Sequence, residues 1–202
     1  MIFVVSAPSG AGKTSLIKAL IAATPGFDVS ISHTTRPQRP GEIDGEHYYF
    51  VSGDKYKQMA EAGEFVETAT VFEYSYATSK AEIARLTDAG KDILLDIDWQ
   101  GAKSFVELYP DDCVSIYILP PSNAELQKRL EERGQDDATT IAKRMDKAHS
   151  ELMHYPEYQY IIVNDDFEKA LADLQAIVRS ARLQLQQQQE KYAELLKQLT
   201  QS

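Results

Sequence analysis

Residues 2–14 read Ile-Phe-Val-Val-Ser-Ala-Pro-Ser-Gly-Ala-Gly-Lys-Thr. Ile2–Ser6 is a short β-branched run of the kind that forms a buried central strand. Lys13–Ala23 carries apolar residues at helical spacing and stops before Pro25-Gly26. The segment Ala7, Pro8, Ser9, Gly10, Ala11, Gly12, Lys13, Thr14 therefore lies between a strand and a helix. There the glycines let the backbone curl until its N–H groups point at one phosphate, and the helix N-terminus adds a favourable dipole. In this reading Lys13 reaches the β and γ phosphates of a nucleotide and the Thr14 hydroxyl holds Mg²⁺. Ala7 stands where the strict phosphate-loop pattern has glycine. A glycine-rich strand-to-helix turn with an exposed lysine is the plainer alternative.

Outward from this stretch, strand and helix signals alternate, which favours a parallel sheet flanked by helices. Asp92–Ile97, Val114–Leu119 and the shorter Tyr160–Val163 read as further buried strands. The run Ile93-Leu94-Leu95-Asp96-Ile97-Asp98 ends in carboxylates. At the carboxyl end of a parallel strand these acids face the same crevice as the loop. Asp96 is then placed to bind the hydration shell of Mg²⁺ and Asp98 to meet a substrate. The alternative is that the pair only caps a helix starting near Trp99. Ser79 with Glu82 and Ser122 with Glu125 fit reciprocal capping boxes, and Gly90 and Gly134 stand where C-terminal caps belong.

From about His33 to Ala77 the rhythm breaks. Pro37, Pro40, Gly41 and Gly45 precede aromatic, strand-like runs at His47–Val51 and Glu64–Phe72, with a helix over Lys55–Ala62 between them. This segment is expected to form a small mixed β-lobe inserted in the core. Phe167–Leu199 has heptad-like apolar spacing interrupted at Gln184 and Gln186–Gln189. It is expected to be a final helix packed on the core with a solvated end, and an oligomerisation helix is the other reading.

The 202 residues suit one domain with a smaller lobe. A net charge of −10 works against a long polyanion such as nucleic acid, whereas a few clustered arginines can still hold a small phosphate ligand. The single cysteine, Cys113, can form no internal disulfide, and the apolar stretch near the start is too short for a signal peptide or a membrane span. A cytoplasmic protein without nucleic-acid or membrane partners is expected. His33, His47, His149 and His154 show no metal-ligand spacing.

Ser32-His33-Thr34-Thr35-Arg36-Pro37-Gln38-Arg39-Pro40-Gly41-Glu42 opens the small lobe. Arg36 and Arg39, three apart and stiffened by prolines, make a fork suited to phosphate. Tyr48 and Tyr76 add hydroxyl donors. Glu67 ends Glu64-Phe65-Val66-Glu67; a carboxylate there accepts two parallel hydrogen bonds from the N1–H and N2 amino edge of guanine, which adenine cannot offer. By residue type alone each of these is equally a surface ion pair or a core tyrosine.

Ser-Ala-Pro-Ser-Gly-Ala-Gly-Lys-Thr, Thr-Thr-Arg-Pro-x-Arg-x-Gly-Glu, Glu-Phe-Val-Glu, Leu-Asp-Ile-Asp-x-Gln-Gly and Val-Asn-Asp-Asp occur together, in this order. Over roughly residues 1–180 the set resembles guanylate kinases of the bacterial type. The resemblance implies an α/β P-loop NTPase fold with a parallel core sheet flanked by helices, an inserted mixed β-lobe and a helical lid. It implies a core of residues 1–32, 79–121 and 146–202, a GMP-binding lobe of 33–78 and a lid of 122–145. It also implies transfer of the γ-phosphoryl group of ATP to GMP or dGMP, with Mg²⁺, in purine nucleotide metabolism. By similarity Arg36, Arg39, Tyr48 and Tyr76 bind the GMP phosphate, and Ser32, Glu67, Thr78 and Asp98 surround the guanine. Arg133 and Arg144 match lid-side arginines that close over the transferring group, with Lys13 and Arg36 sharing its charge. Asn164 matches a position near the adenine of ATP.

Arg133 beside Gly134, and Arg144 after the polar loop Gln135–Thr140, also suit a closing lid on their own terms. Solvated helix arginines are the plainer alternative, most of all for Arg129. Two rival functions are a P-loop kinase for another nucleotide or a phosphorylated sugar, and a non-catalytic protein-binding module. The intact Gly12-Lys13-Thr14 opposes the second. A homo-oligomer is left open.

Overall fold

The computed structural model describes residues 1–71, 73–132 and 138–201. Its centre is a five-stranded parallel sheet built from β1 (Ile2–Ser6), β2 (Phe27–Val29), β7 (Asp92–Asp96), β8 (Cys113–Leu119) and β9 (Tyr160–Val163), in the order β2-β7-β1-β8-β9. Side chains of β1 alternate between two cores, as a strand buried on both faces must. Phe3 and Val5 pack with Leu94, Ile116 and Ile118 against helices α1 (Lys13–Ala23) and α7 (Phe167–Arg182), which supply Leu16, Leu20 and Leu174. Ile2 and Val4 pack with Ile93, Leu95 and Cys113 against α3 (Lys80–Asp88) and α4 (Trp99–Leu108), through Leu86 and Phe105.

Cys113 is buried, and burial pushes its thiol up to about 12. Thiolate is the reactive form. A thiol-titrating reagent is therefore expected to find no reactive cysteine in the native chain and one in denaturant; rapid native labelling would contradict this packing.

The segment after β2 forms a second sheet. Strands β3 (His33–Thr34), β4 (Tyr49–Phe50), β5 (Phe65–Val71) and β6 (Tyr74–Ser79) lie in the order β4-β3-β6-β5. β3 and β4 are parallel and the other pairs antiparallel, so the sheet is mixed, as expected. Helix α2 (Gly53–Glu61) connects β4 to β5 and starts two residues before the expected Lys55. Its N-cap is Ser52, whose hydroxyl accepts from the Lys55 amide.

Several expectations change. Ser79 and Ser122 accept from the Glu82 and Glu125 amides, but only that half of each capping box is present in the contacts seen. The Glu82 carboxylate instead accepts from the Ile31 amide and pairs with Arg85, and Glu125 pairs with Arg129. Tyr160–Val163 is an edge strand rather than a buried one: Ile162 alone is buried, while Ile161 and Val163 are about half exposed. The C-terminal stretch is not one helix. It breaks after α7 into α8 (Leu185–Lys191) and α9 (Ala193–Thr200), and neither of these buries a side chain. Gly134, Phe72 and residues 135–137 lie outside the described residues, and residues 138–140 belong to a helix rather than a loop. That helix, α6 (Ala138–Leu152), follows α5 (Asn123–Glu132) and continues past residue 145, so the lid boundary drawn there falls within one element. Among the described residues no helix is long and apolar enough to cross a membrane.

Candidate functional site

β1 and β7 are neighbours, with Val5 opposite Asp96. This register sets the loop that follows β1 directly beside the acids that follow β7. The loop leaves β1 at Ala7 and enters α1 through Gly12, which is in the left-handed region at φ 92°. A side chain there would be strained and would collide with the amide of Asn164, so glycine is required twice over. Helices α2, α3, α4 and α7 each begin with a side-chain cap; α1 has none and no acid in its first turn. Its first N–H groups are thus left to an external acceptor, an arrangement suited to an anion.

The Lys13 ammonium is 2.5 Å from an Asp96 carboxylate oxygen and 3.4 Å from the Ile97 carbonyl. Both partners face a cavity of about 880 Å³ that joins the loop to the second sheet. Thr14 opens to the same space. One hydroxyl and one carboxylate, all hard oxygen donors beside open volume, fit Mg²⁺, which keeps several waters and takes few protein ligands. Ala11 is fully buried and does not line the cavity; it serves the loop through its carbonyl.

Across the cavity, Arg36 is held in place from three sides. Its guanidinium donates to Glu42 at 2.7 Å and to the Pro37 carbonyl at 2.8 Å, and it lies over the Tyr48 and Phe50 rings. Tyr48 meets Tyr76 edge-on at 5.9 Å, and burial raises the Tyr48 hydroxyl to about 12, so at neutral pH it stays a donor. Glu42 also accepts from the Arg39 amide at 2.8 Å, which closes the turn between the two arginines. Arg39 itself is exposed at the rim. Glu42 thus braces the turn that carries both arginines.

Deeper in, Glu67 is 5% exposed. One carboxylate oxygen accepts from the Thr78 hydroxyl at 2.8 Å; the other is buried and has no partner among the described residues. Burial is the main cause that pushes its pKa up to about 7, opposed by Thr78 and reinforced by the charge of Asp98. A buried acceptor left half-satisfied costs stability, and it points to a ligand that brings donors. Gly101 leaves the room: a methyl there would sit 2.7 Å from the unpartnered oxygen. Sequence reasoning placed Gly101 in a motif without giving it this role. Ser32 lines the cavity, whereas Thr78 stands behind Glu67 and is fully buried.

Asp98 does cap a helix. Its Oδ1 accepts from the Gln100 and Gly101 amides at 3.1 and 3.2 Å, and the Gln100 side chain donates to Oδ2 at 2.8 Å. It also lines the cavity, so the two readings of this acid coexist. Asn164 is buried and off the cavity, its side-chain amide donating to the Ala11 carbonyl at 2.7 Å. Arg129, for which a solvated helix position was the plainer alternative, pairs with Glu125 and donates to the Asn164 carbonyl at 3.1 Å. Together they tie α5 and the end of β9 to the phosphate-loop backbone.

Arg144 on α6 lines the cavity; Arg133 lies outside the described residues. α6 brings two further residues that the sequence reading missed, Lys147 and Glu151. Their spacing from Arg144, three and seven residues, was the available signal, since it sets all three on one helix face.

The guanylate kinase family model matches residues 1–181. The guanylate kinase of Alkalilimnicola ehrlichii is 50% identical over 198 residues, covering 98% of this chain and 97% of its own. That of Escherichia coli K12 is 50% identical over 200 residues, covering 98% and 96%. Among solved structures, the guanylate kinase of Anaplasma phagocytophilum superposes with a TM-score of 0.75 at 33% identity, covering 92% of this chain and 87% of that one.

Proposed function

The chain belongs to the guanylate kinase family, and on that premise we propose that it transfers the γ-phosphoryl group of ATP to GMP, giving ADP and GDP. One observation carries the choice of acceptor. Glu67, which keeps one buried carboxylate oxygen without a partner among the described residues, lines the same cavity as the phosphate loop.

In this proposal the loop amides and the α1 N-terminus hold the ATP phosphates, and Lys13 leaves Asp96 to bridge the β and γ groups. Arg36, Arg39, Tyr48 and Tyr76 hold the GMP phosphate. Glu67, backed by Thr78, accepts the N1–H and N2 amino pair of guanine, with Ser32 and Asp98 around the base. An oxygen of the GMP phosphate attacks the γ phosphorus as the bond to the β-phosphate oxygen breaks, so no side-chain nucleophile is needed. The chain contributes position and positive charge, from Lys13, Arg36 and Arg144 together with Arg133. Thr14 and Asp96 would hold Mg²⁺, Asp96 through water, and the ion would neutralise phosphate charge. Residues 33–78 act as the GMP lobe, and α5 with the first turns of α6 acts as a lid whose closure excludes water. Asn164 supports the loop from behind, and by family position it lies toward the adenine side. A cytoplasmic setting belongs to the same proposal.

A coupled assay of ADP formation with ATP, Mg²⁺ and each of GMP, dGMP, AMP, UMP and dTMP tests this. Turnover confined to the guanine nucleotides is expected. Comparable rates with AMP or a pyrimidine nucleotide would overturn the acceptor assignment.

A further inference from the structure

Helix α6 presents Arg144, Lys147 and Glu151 along one face, and all three line the cavity beside Ser9 and Lys13. The Lys147 ammonium is 3.6 Å from a Glu151 carboxylate oxygen, with the side chains 24% and 13% exposed. This turn of the helix is fixed to the core, because the Tyr117 hydroxyl on β8 donates to the Glu151 carbonyl at 2.8 Å. Burial raises the Glu151 carboxyl, while Lys147, the Ser9 amide and Lys13 pull it back toward the charged form.

A half-buried carboxylate beside a phosphate loop is electrostatically adverse, since it repels the ligand the loop is built to hold. With Glu67, Glu73, Asp96 and Asp98 it makes five acids among the described residues lining this space. The arrangement makes sense if Glu151 holds a cation for the phosphates. Lys147 is that cation: it lies one helical turn from Arg144, toward the loop, and its long stem permits a short swing.

We propose that Lys147 is a further residue that contacts the transferring phosphoryl group, and that Glu151 is its positioning residue. The proposal rests on the phosphoryl-transfer reading of this site and extends it. Lys147 would share the charge on the equatorial oxygens with Lys13 and Arg144. Glu151 keeps the ammonium at the cavity wall until the phosphates arrive.

The test compares steady-state kinetics of the parent chain with Lys147→Gln, Lys147→Arg, Glu151→Gln and the Lys147→Gln/Glu151→Gln pair, with thermal unfolding of each. Lys147→Gln is expected to lower kcat about 10- to 100-fold, with KM for GMP within about twofold of the parent. Lys147→Arg should recover most of that loss, because the positive charge is retained. Glu151→Gln should lower kcat about five- to tenfold and have no further effect when Lys147 is already glutamine. Should Lys147→Gln fail to fold, Lys147→Met keeps the aliphatic stem and carries the same test. A kcat within twofold of the parent in the folded, charge-removed variant would overturn the role of Lys147. Equal Glu151→Gln effects in both backgrounds would overturn positioning through it. A parent chain without GMP kinase activity would instead refute the underlying functional reading, so the two failures are distinguishable.

Discussion

Glu67→Gln is expected to lower kcat/KM for GMP by about two to three orders of magnitude while leaving the ligand-free chain more stable than the parent. The carboxylate presents two acceptor oxygens, one bonded to Thr78 and one buried without a partner among the described residues. Glutamine offers one oxygen and one NH₂, so whichever way it turns, guanine's pair of donors meets a donor. The stability effect has the opposite sign. Glu67 has a pKa of about 7 in the folded chain, raised above its unfolded value mainly by burial. The folded state therefore binds this proton more tightly than the unfolded state. Its relative stabilisation is fully present below the unfolded pKa and is lost as pH rises through about 7. Above that pH the ionised, half-paired group costs on the order of 3 kcal/mol, which the neutral amide avoids. Denaturant unfolding of the ligand-free forms at pH 8 should show the variant ahead, with the difference closing toward pH 5. Guanosine affinity should run the other way in the parent, weakening about tenfold per pH unit below 7. The nucleoside is the better probe because the second ionisation of a phosphomonoester, near pH 6, would overlay the result. A variant with parental kcat/KM for GMP would show that Glu67 does not read the base.

Lys13→Ala should lower kcat by about three orders of magnitude or more while GMP affinity stays within about threefold. The ammonium is the loop's only side-chain cation, and it is held by Asp96 at the end of the neighbouring strand. Alanine removes the charge that follows the phosphoryl group through transfer and leaves Asp96 facing the nucleotide unopposed. Arg36, Tyr48 and Glu67 lie across the cavity, on the second sheet and the turn that follows β3, so the acceptor side should not sense the change. Asp96 is about a third exposed, so water can take over its solvation and the cost in stability should be small. Rapid-quench measurement of GDP formation, with GMP binding followed separately, checks both halves. Near-parental turnover would remove the phosphate-loop assignment.

The central features were legible because they are local. A β-branched run, a glycine turn and a helical pattern are consecutive in residues 2–23, and the motif around Lys13 states its chemistry in eight residues. The mixed sheet was legible in the same way, from aromatic runs separated by proline and glycine. What could not be read depends on tertiary neighbours. Tyr160–Val163 has the apolar content of a buried strand, yet it lies at the sheet edge, and sequence pattern does not separate the two. The C-terminal break after Arg182 has no glycine or proline to announce it. Instead Arg182 is drawn to Asp92 at 2.6 Å and to the Pro25 carbonyl, which ends α7 against the core.

At the site, the types of Arg36, Tyr48 and Glu67 suggested ligands, but their convergence on one cavity did not follow from spacing. Asn164 illustrates the limit. Its family position suggested the adenine side, while its amide is spent on the Ala11 carbonyl 153 residues away. Glu82 likewise forgoes the reciprocal half of a capping box, because the Ile31 amide and Arg85 are nearer partners in the fold.

The reading of guanine by Glu67 can be tested in a single comparison, the binding of GMP and inosine monophosphate by calorimetry at pH 8. Inosine monophosphate keeps N1–H and lacks the N2 amino group, so it offers Glu67 one donor instead of two. GMP should bind about 10- to 100-fold more tightly, the worth of one hydrogen bond to a buried charge. Equal affinity for the two nucleotides would contradict the account.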